Sequence, residues 1–299
     1  MYARFFEAVV SRVAVTTALW QSIGFAHEVL STDSVSILGL TIDYGPFRFA
    51  DEFDENMLPN SSDDERRYSY SRQPAVMEEN LHHLLHALST LMIPEEYREA
   101  KSALGNFRAI YGQEYMQAFR RKIGLSTVET TVDDEVLISE LLSIMSDQRA
   151  DFTATFGQLS VVSLRALLKV NKSINLKAVP WALQQLAQHV HFSSWLVHYA
   201  QHLKQAGVSD SERRSVMQLA NPCCVLRNCM AQQVIDSAET DDFSIIHLLQ
   251  SVLSKPFEKQ TVAELMGYSG RLPLWSKTIT VSCSSQDLYK YFVAGSMVM

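Results

Sequence analysis

His27-Glu28-Val29-Leu30-Ser31-Thr32-Asp33-Ser34, followed nine residues later by Asp43-Tyr44-Gly45, departs from the pattern of the chain around it. Most of the 299 residues read as helices with apolar stripes. This stretch instead puts Asp33 on a turn and Asp43 at the end of a β-like segment, beside a glycine. Two oxygen ligands plus nucleotide phosphates are what Mg2+ ordinarily takes. A metal–phosphate site is therefore one reading, and a plain acidic turn is the other.

Outward from the stretch, the neighbours sharpen the choice. Upstream, Phe5, Val9, Val13, Thr16, Leu19, Trp20 and Ile23 recur at spacings of three and four. They predict an amphipathic helix of about six turns, closed by Gly24. A transit peptide is the weaker reading of Met1 to Trp20, because the stripe runs straight into the motif. Downstream, Val35 to Leu38 and Leu40 to Ile42 predict a β-hairpin around Gly39. Helix, acidic loop, hairpin and Asp-aromatic-Gly is the order of the large lobe of protein kinases. In such a site one Asp accepts the proton of the attacking hydroxyl, while an Asn and the triplet Asp hold the metal.

The rest of the chain predicts helices. Asn60 to Arg67 reads as a polar surface loop. Pro74 opens a helix through Leu88, and Pro94 opens a long one to about Lys122, ended by Gly124. Asp133-Asp134-Glu135 supply first-turn acids to Val136–Met145, and Asp151 caps the next helix. Trp181 to Leu203 gives one or two helices, Val225 to Ala238 another, and Asp241-Asp242 cap Phe243 to Leu253. His82/His86 and His198/His202 are each four apart and could ligate a metal, but no Cys or carboxylate accompanies them at suitable spacing, so they read as helix-surface residues. Cys223, Cys224 and Cys229 share one predicted helical segment without zinc-knuckle spacing, and read as thiols in a reducing compartment.

Bulk properties limit the classes of function. Hydrophobic residues make up 47% and charged residues 20%, which are globular values. The net charge is −7 and no basic stripe appears, which argues against nucleic acid as a partner. No apolar run reaches membrane-spanning length.

Residues 20–47 closely resemble the selenoprotein O family, whose pattern is WQ-x-x-GF-x-HGV-x-NTDN-x-SI-x-GLT-x-DYGPF. Arg67-Tyr68 and Gln73-Pro74-Ala75-Val76 resemble its RY…QPAV. Asn221-Pro222, Val225-Leu226-Arg227-Asn228 and Ala231-Gln232 resemble its NP-x-x-VLRN-x-x-AQ. Trp275 to Ser285 resembles its C-terminal W-x-x-x-x-x-VSCSS. The resemblance implies a mainly α chain: the large lobe of a protein-kinase-like fold with a small β-hairpin near the N-terminus. It implies transfer of AMP from ATP to protein hydroxyls, with Mg2+ as the metal. It implies Asp33 as the base, Asp43 as a metal ligand, Ser34 at the second metal-ligand position and Cys283 as the redox-active position. Its members are mitochondrial in eukaryotes and cytoplasmic in bacteria.

The departures from the pattern carry expectations too. Ser34 stands where the family has its metal-binding Asn, Glu28 where it has Gly, and Ser31 where it has the first Asn. Pro59 stands where bacterial members have a cysteine that pairs with the tail, so Cys283 is expected to be free or to pair with another cysteine. The family's small lobe, with its Gly-rich loop and phosphate-binding Lys, precedes the first helix, and no G-x-G-x-x-G occurs in the sequence. The expected organisation is thus a large lobe over 1–285, an extra tail over 286–299 and no small lobe. The expected behaviour is a chain inactive by itself and completed by a missing lobe or partner chain. The alternative is a non-catalytic relative acting as a binding or scaffold module.

Overall fold

Helical periodicity dominates the sequence, and the computed structural model is accordingly mainly helical. It describes residues 1–58, 63–125, 130–169, 179–273 and 275–276. The chain forms two compact units, Met1–Phe47 with Glu55–Phe119, and Arg48–Asp54 with Arg120–Met299. No helix among the described residues is long and apolar enough to cross a membrane.

The first unit is built on α1 (Tyr2–Ile23), α2 (Gln73–Leu88) and α3 (Pro94–Gly105), which pack against one another. Gly24 ends α1 in the left-handed conformation, as the sequence predicts. The buried face of α1 matches the predicted stripe only in part. Phe6, Val10, Val13, Ala14 and Thr17 are buried, while Phe5 and Leu19 point outward. Val9 and Trp20 of the predicted stripe are buried too, so the true face is rotated and widened relative to it. Pro74 lies in the first turn of α2, and Val76, Leu81 and Leu85 form its inner side. His82, His83 and His86 lie on its exposed side. The predicted long helix from Pro94 is two helices, α3 and α4 (Phe107–Lys122). Asn106 separates them: its N–H turns back to the Ala103 carbonyl, a tighter bond than the helix continues with.

The predicted hairpin is a second correction. Residues 35–42 form a single antiparallel bridge, Val35 with Thr41, and no strand ladder. The segment is tied to α1 instead, through one carbonyl and one side chain. Thr16 Oγ1 donates to the Gly39 carbonyl at 2.7 Å, and Trp20 Nε1 donates to Thr41 Oγ1 at 2.9 Å. Gly39 has φ +71, and a Cβ there would lie 2.9 Å from Arg12 Cβ. Only glycine permits so close an approach to α1. Short strands occur at β1 (Phe25–Ala26) in the first unit and β2 (Arg48–Phe49) in the second.

The second unit holds α5 (Val132–Asp147), α6 (Phe152–Val161), α7 (Leu164–Lys169), α8 (Trp181–Leu186), α9 (Phe192–Gln205), α10 (Asp210–Ala220), α11 (Asn228–Ala238), α12 (Ser244–Leu253) and α13 (Thr261–Leu265). Predicted acids sit where the helix dipole wants them. Thr131 and Asp134 make a capping box for α5, and Asp151 Oδ1 accepts from Ala154 N at 2.8 Å to cap α6. Asp242 accepts from Ser244 N at the start of α12. Trp181 to Leu203 resolves into two helices. The described cysteines are free, and only Cys229 is helical: Cys223 and Cys224 precede α11. Cys223 N instead donates to the Pro256 carbonyl.

Burial leaves one amine in an unusual state. Lys122 is 2% exposed, with its Nζ 4.3 Å from the Phe156 ring centroid and 5.3 Å from that of Phe152. The rings attract the cation, yet loss of water outweighs them and pulls the amine down from 10.5 to about 7. Between about pH 7 and 10.5 the unfolded chain therefore binds more protons than the folded one, so stability rises with pH across that window. Replacing Lys122 with Met should raise the unfolding midpoint of the second unit at pH 6–7 by the equivalent of ~1 kcal/mol or more, since a tenfold loss of proton affinity on folding is worth about 1.4 kcal/mol. The gain should fade toward pH 10.5; urea titrations at pH 6.5 and 10 measure both.

Candidate functional site

Three aromatic rings and one histidine organise the site segment. His27 is fully buried beside Trp20, Phe25 and Tyr44, with ring centroids 5.6, 6.1 and 6.3 Å away. Its Nε2 lies 2.6 Å from the Ile42 carbonyl. A carbonyl only accepts, so Nε2 carries the proton. Burial holds the imidazole below its ordinary 6.5, against the weaker opposing pulls of the Ile42 carbonyl and the Asp43 charge. The ring is thus the neutral Nε2–H form near pH 7, and it ties the loop before Asp33 to the residue before Asp43.

The loop itself turns through a short 3-10 helix, Thr32–Ser34. Ser34 is 2% exposed, and its hydroxyl donates to Asp43 Oδ2 at 2.7 Å. Ser31 Oγ lies 3.1 Å from Ser34 Oγ. Asp33 is exposed; the Ser31 hydroxyl, and then its own backbone N–H, hold its carboxyl below the ordinary Asp range. The structure therefore brings Ser34 and Asp43 into direct contact, with Asp33 reaching the same group through Ser31.

A divalent cation is compatible with this pair. Octahedral Mg2+ takes ligands at about 2.0–2.1 Å, which puts neighbouring ligand atoms about 3 Å apart. Ser34 Oγ and Asp43 Oδ2, 2.7 Å apart, are close to that spacing, and Asp43 is open to solvent. Among the described residues no group of three or more His, Cys, Asp or Glu could hold a metal. The remaining ligands would be phosphate and water, the usual arrangement for Mg2+. Cys283, Pro59 and the tail over 286–299 lie outside the described residues.

Two backbone outliers flank the site. Glu28 has φ +77 and Asp43 has φ +57. Left-handed backbone costs roughly 1–2 kcal/mol for an L side chain, least for Asp and Asn. At Glu28 that cost gives a physical reason for the glycine in the family pattern. The glutamate side chain is nonetheless fully buried.

Buried polar side chains to which the sequence assigns no role hold this segment. Gln73 Oε1 accepts from His27 N at 2.8 Å, and its Nε2 donates to the Phe25 carbonyl at 2.9 Å. Asn80 Nδ2 donates to the Leu30 carbonyl at 2.8 Å. Gln21 and Tyr70 bond reciprocally, Gln21 Nε2 to the Tyr70 carbonyl at 2.7 Å and the Tyr70 hydroxyl to the Gln21 carbonyl at 2.5 Å. Polar residues inside an apolar helical stripe, such as Asn80 one residue before Leu81, were the available signal.

The geometry thus defines a helical protein with a hydroxyl–carboxylate pair, Ser34 and Asp43, in direct contact on one loop segment. A family model described as protein adenylyltransferase SelO matches residues 1–254. The chain belongs to that family. The family is one of protein adenylyltransferases, which use ATP, and such chemistry generally involves a divalent metal.

The Glu28 backbone gives a direct test. Glu28→Gly should be more stable than Glu28→Ala by about 1 kcal/mol, the reverse of the ordinary helix and strand ranking, because alanine keeps the left-handed penalty and glycine does not. Urea midpoints of the two variants measure it. Equal stabilities would mean that residue 28 is not held at positive φ.

Proposed function

We propose that residues 27–45 are the metal- and phosphate-handling half of a protein adenylyltransferase site on a kinase-like large lobe. The observation that carries this reading is the 2.7 Å contact between Ser34 and Asp43, with Asp33 linked to it through Ser31. In this reading Ser34 and Asp43 hold a divalent cation. When bound, that cation would neutralise phosphate charge. Asp33, exposed and held in its ionised form, accepts the proton of a protein Ser, Thr or Tyr hydroxyl as its oxygen attacks the α-phosphorus of ATP. The bond from that phosphorus to pyrophosphate breaks, and pyrophosphate leaves.

The remaining phosphate-binding groups then come from a small lobe or partner chain. Ile37, Leu38, Leu40, Ile42 and Tyr44, all substantially exposed around Asp43, support such a covering body. A second reading is a non-catalytic binding or scaffold module. Glu28 and Ser34 favour it. Glutamate adds a buried carboxylate where the family pattern has no side chain, and serine offers a shorter ligand than an amide. Both departures should lower turnover.

ATP carrying a tagged adenine separates the readings. Catalysis predicts Mg2+-dependent labelling of the chain or of added protein, reduced at least ~100-fold in Asp43→Ala and in Asp33→Ala, the scale at which loss of one preorganised group is felt. Ser34→Asn should tighten Mg·ATP binding in calorimetry by several-fold. Binding without labelling selects the scaffold reading, and labelling that survives Asp43→Ala rejects the assigned site.

A further inference from the structure

Two amides on one face of α2 grip the site segment. Gln73 and Asn80 are seven residues apart, about two helical turns, and are 0% and 7% exposed. Gln73 holds one carbonyl and one N–H, those of Phe25 and His27. Asn80 holds the Leu30 carbonyl. From each anchor a short path leads to one member of the oxygen pair. His27 fixes the Ile42 carbonyl through its ring, one residue before Asp43. Leu30 immediately precedes Ser31, whose hydroxyl lies against that of Ser34.

The two members of the pair thus hang from the same helix by separate lines. Apolar side chains would bury the segment as well, but they are non-directional. An amide that must meet both a donor and an acceptor admits one register, and mispairing would leave buried polar groups unsatisfied. We propose that Gln73 and Asn80 are positioning residues that set the Ser34–Asp43 spacing for a divalent cation bound with nucleotide. This rests on the functional reading above.

Calorimetric titration of Mg·ATP into the full chain tests it. Gln73→Met and Asn80→Leu should each weaken binding by about 10-fold, since small misplacements of positioned groups cost on this order or more. Gln73→Glu keeps the acceptor for the His27 N–H but sets a second acceptor against the Phe25 carbonyl, and should weaken binding at least as much as Gln73→Met. In an Asp43→Asn background, Gln73→Met should add little further loss, because it acts through the pair that Asp43 completes; contacts in one network are non-additive. Circular dichroism and urea titration of each variant establish that it folds. If Gln73→Met does not fold, Asn80→Ser carries the same test. Unchanged affinity in folded variants overturns the inference, as does a full, additive loss in the Asp43→Asn background, which a purely structural role would give. If the unaltered chain does not bind Mg·ATP, or if Asp43→Asn leaves its binding unchanged, the functional reading fails first and the inference with it.

Discussion

Gln73 is the side chain on which the geometry of the first unit turns. Its amide oxygen takes the His27 N–H and its amide nitrogen serves the Phe25 carbonyl, all at full burial. Backbone polar groups removed from water must be paired, so the segment is held wherever Gln73 sits. Gln73 opens α2, and α2 packs on α1 and α3. The apolar core thereby sets the place of a polar loop. The same logic holds 35–42 from the other side, where Thr16 and Trp20 of α1 reach Gly39 and Thr41. The site segment is fastened by side chains of helices that are themselves fixed by hydrophobic packing.

That division explains what was legible in the sequence. Helix starts and stops were, because their causes are local. Gly24 as a left-handed cap, Pro74 in a first turn, and Asp134 and Asp151 at helix N-termini act within four residues of themselves. The contact between Ser34 and Asp43 was approachable because both sit in one motif, nine residues apart. The hairpin failed because alternation over seven residues cannot say whether backbone groups pair with each other or with a neighbouring helix. The α3–α4 break was missed although Gly105-Asn106 is a helix-stop pair, because the apolar pattern runs on past it through Phe107, Ile110 and Tyr111. Gln73 was quoted only as part of a motif, since its partners lie 46 and 48 residues away.

Long-range polar pairing is stronger still in the second unit. Arg227 is 5% exposed and makes a forked contact to Asp151, at 2.6 and 3.0 Å, with Asp51 at 3.5 Å. Asp151 also caps α6, so one carboxylate serves a helix terminus and an ion pair at once. Burial raises Asp51 above the ordinary Asp range, and the Arg227 and Arg48 charges only partly offset it. Asp134 is used in the same way: it completes the α5 capping box, meets Arg120 at 3.1 Å and accepts from His202 Nε2 at 2.6 Å. His202 therefore finds its partner in a carboxylate 68 residues away, not in the histidine four residues before it. Such buried pairs add little net stability, but removing one partner strands the other and is costly. Lys122, whose amine rests on phenyl rings, shows the alternative outcome, in which burial lowers the proton affinity instead.

The two left-handed residues of the site reflect the same economy of placement. Left-handed backbone at a non-glycine residue persists only where surroundings over-determine it. At Asp43 they do. The Ile42 carbonyl is held by His27, Tyr44 packs against Phe25 and Phe47, and the Asp43 carboxylate is held by Ser34. Aspartate is also among the side chains that tolerate this region best. Glu28 is different: nothing in its residue type favours positive φ, and it meets the cost beside a buried imidazole that α2 holds by its backbone. A glycine would meet the same backbone requirement without that cost. The conformation at residue 28 therefore belongs to the architecture of the loop and not to a preference of the glutamate.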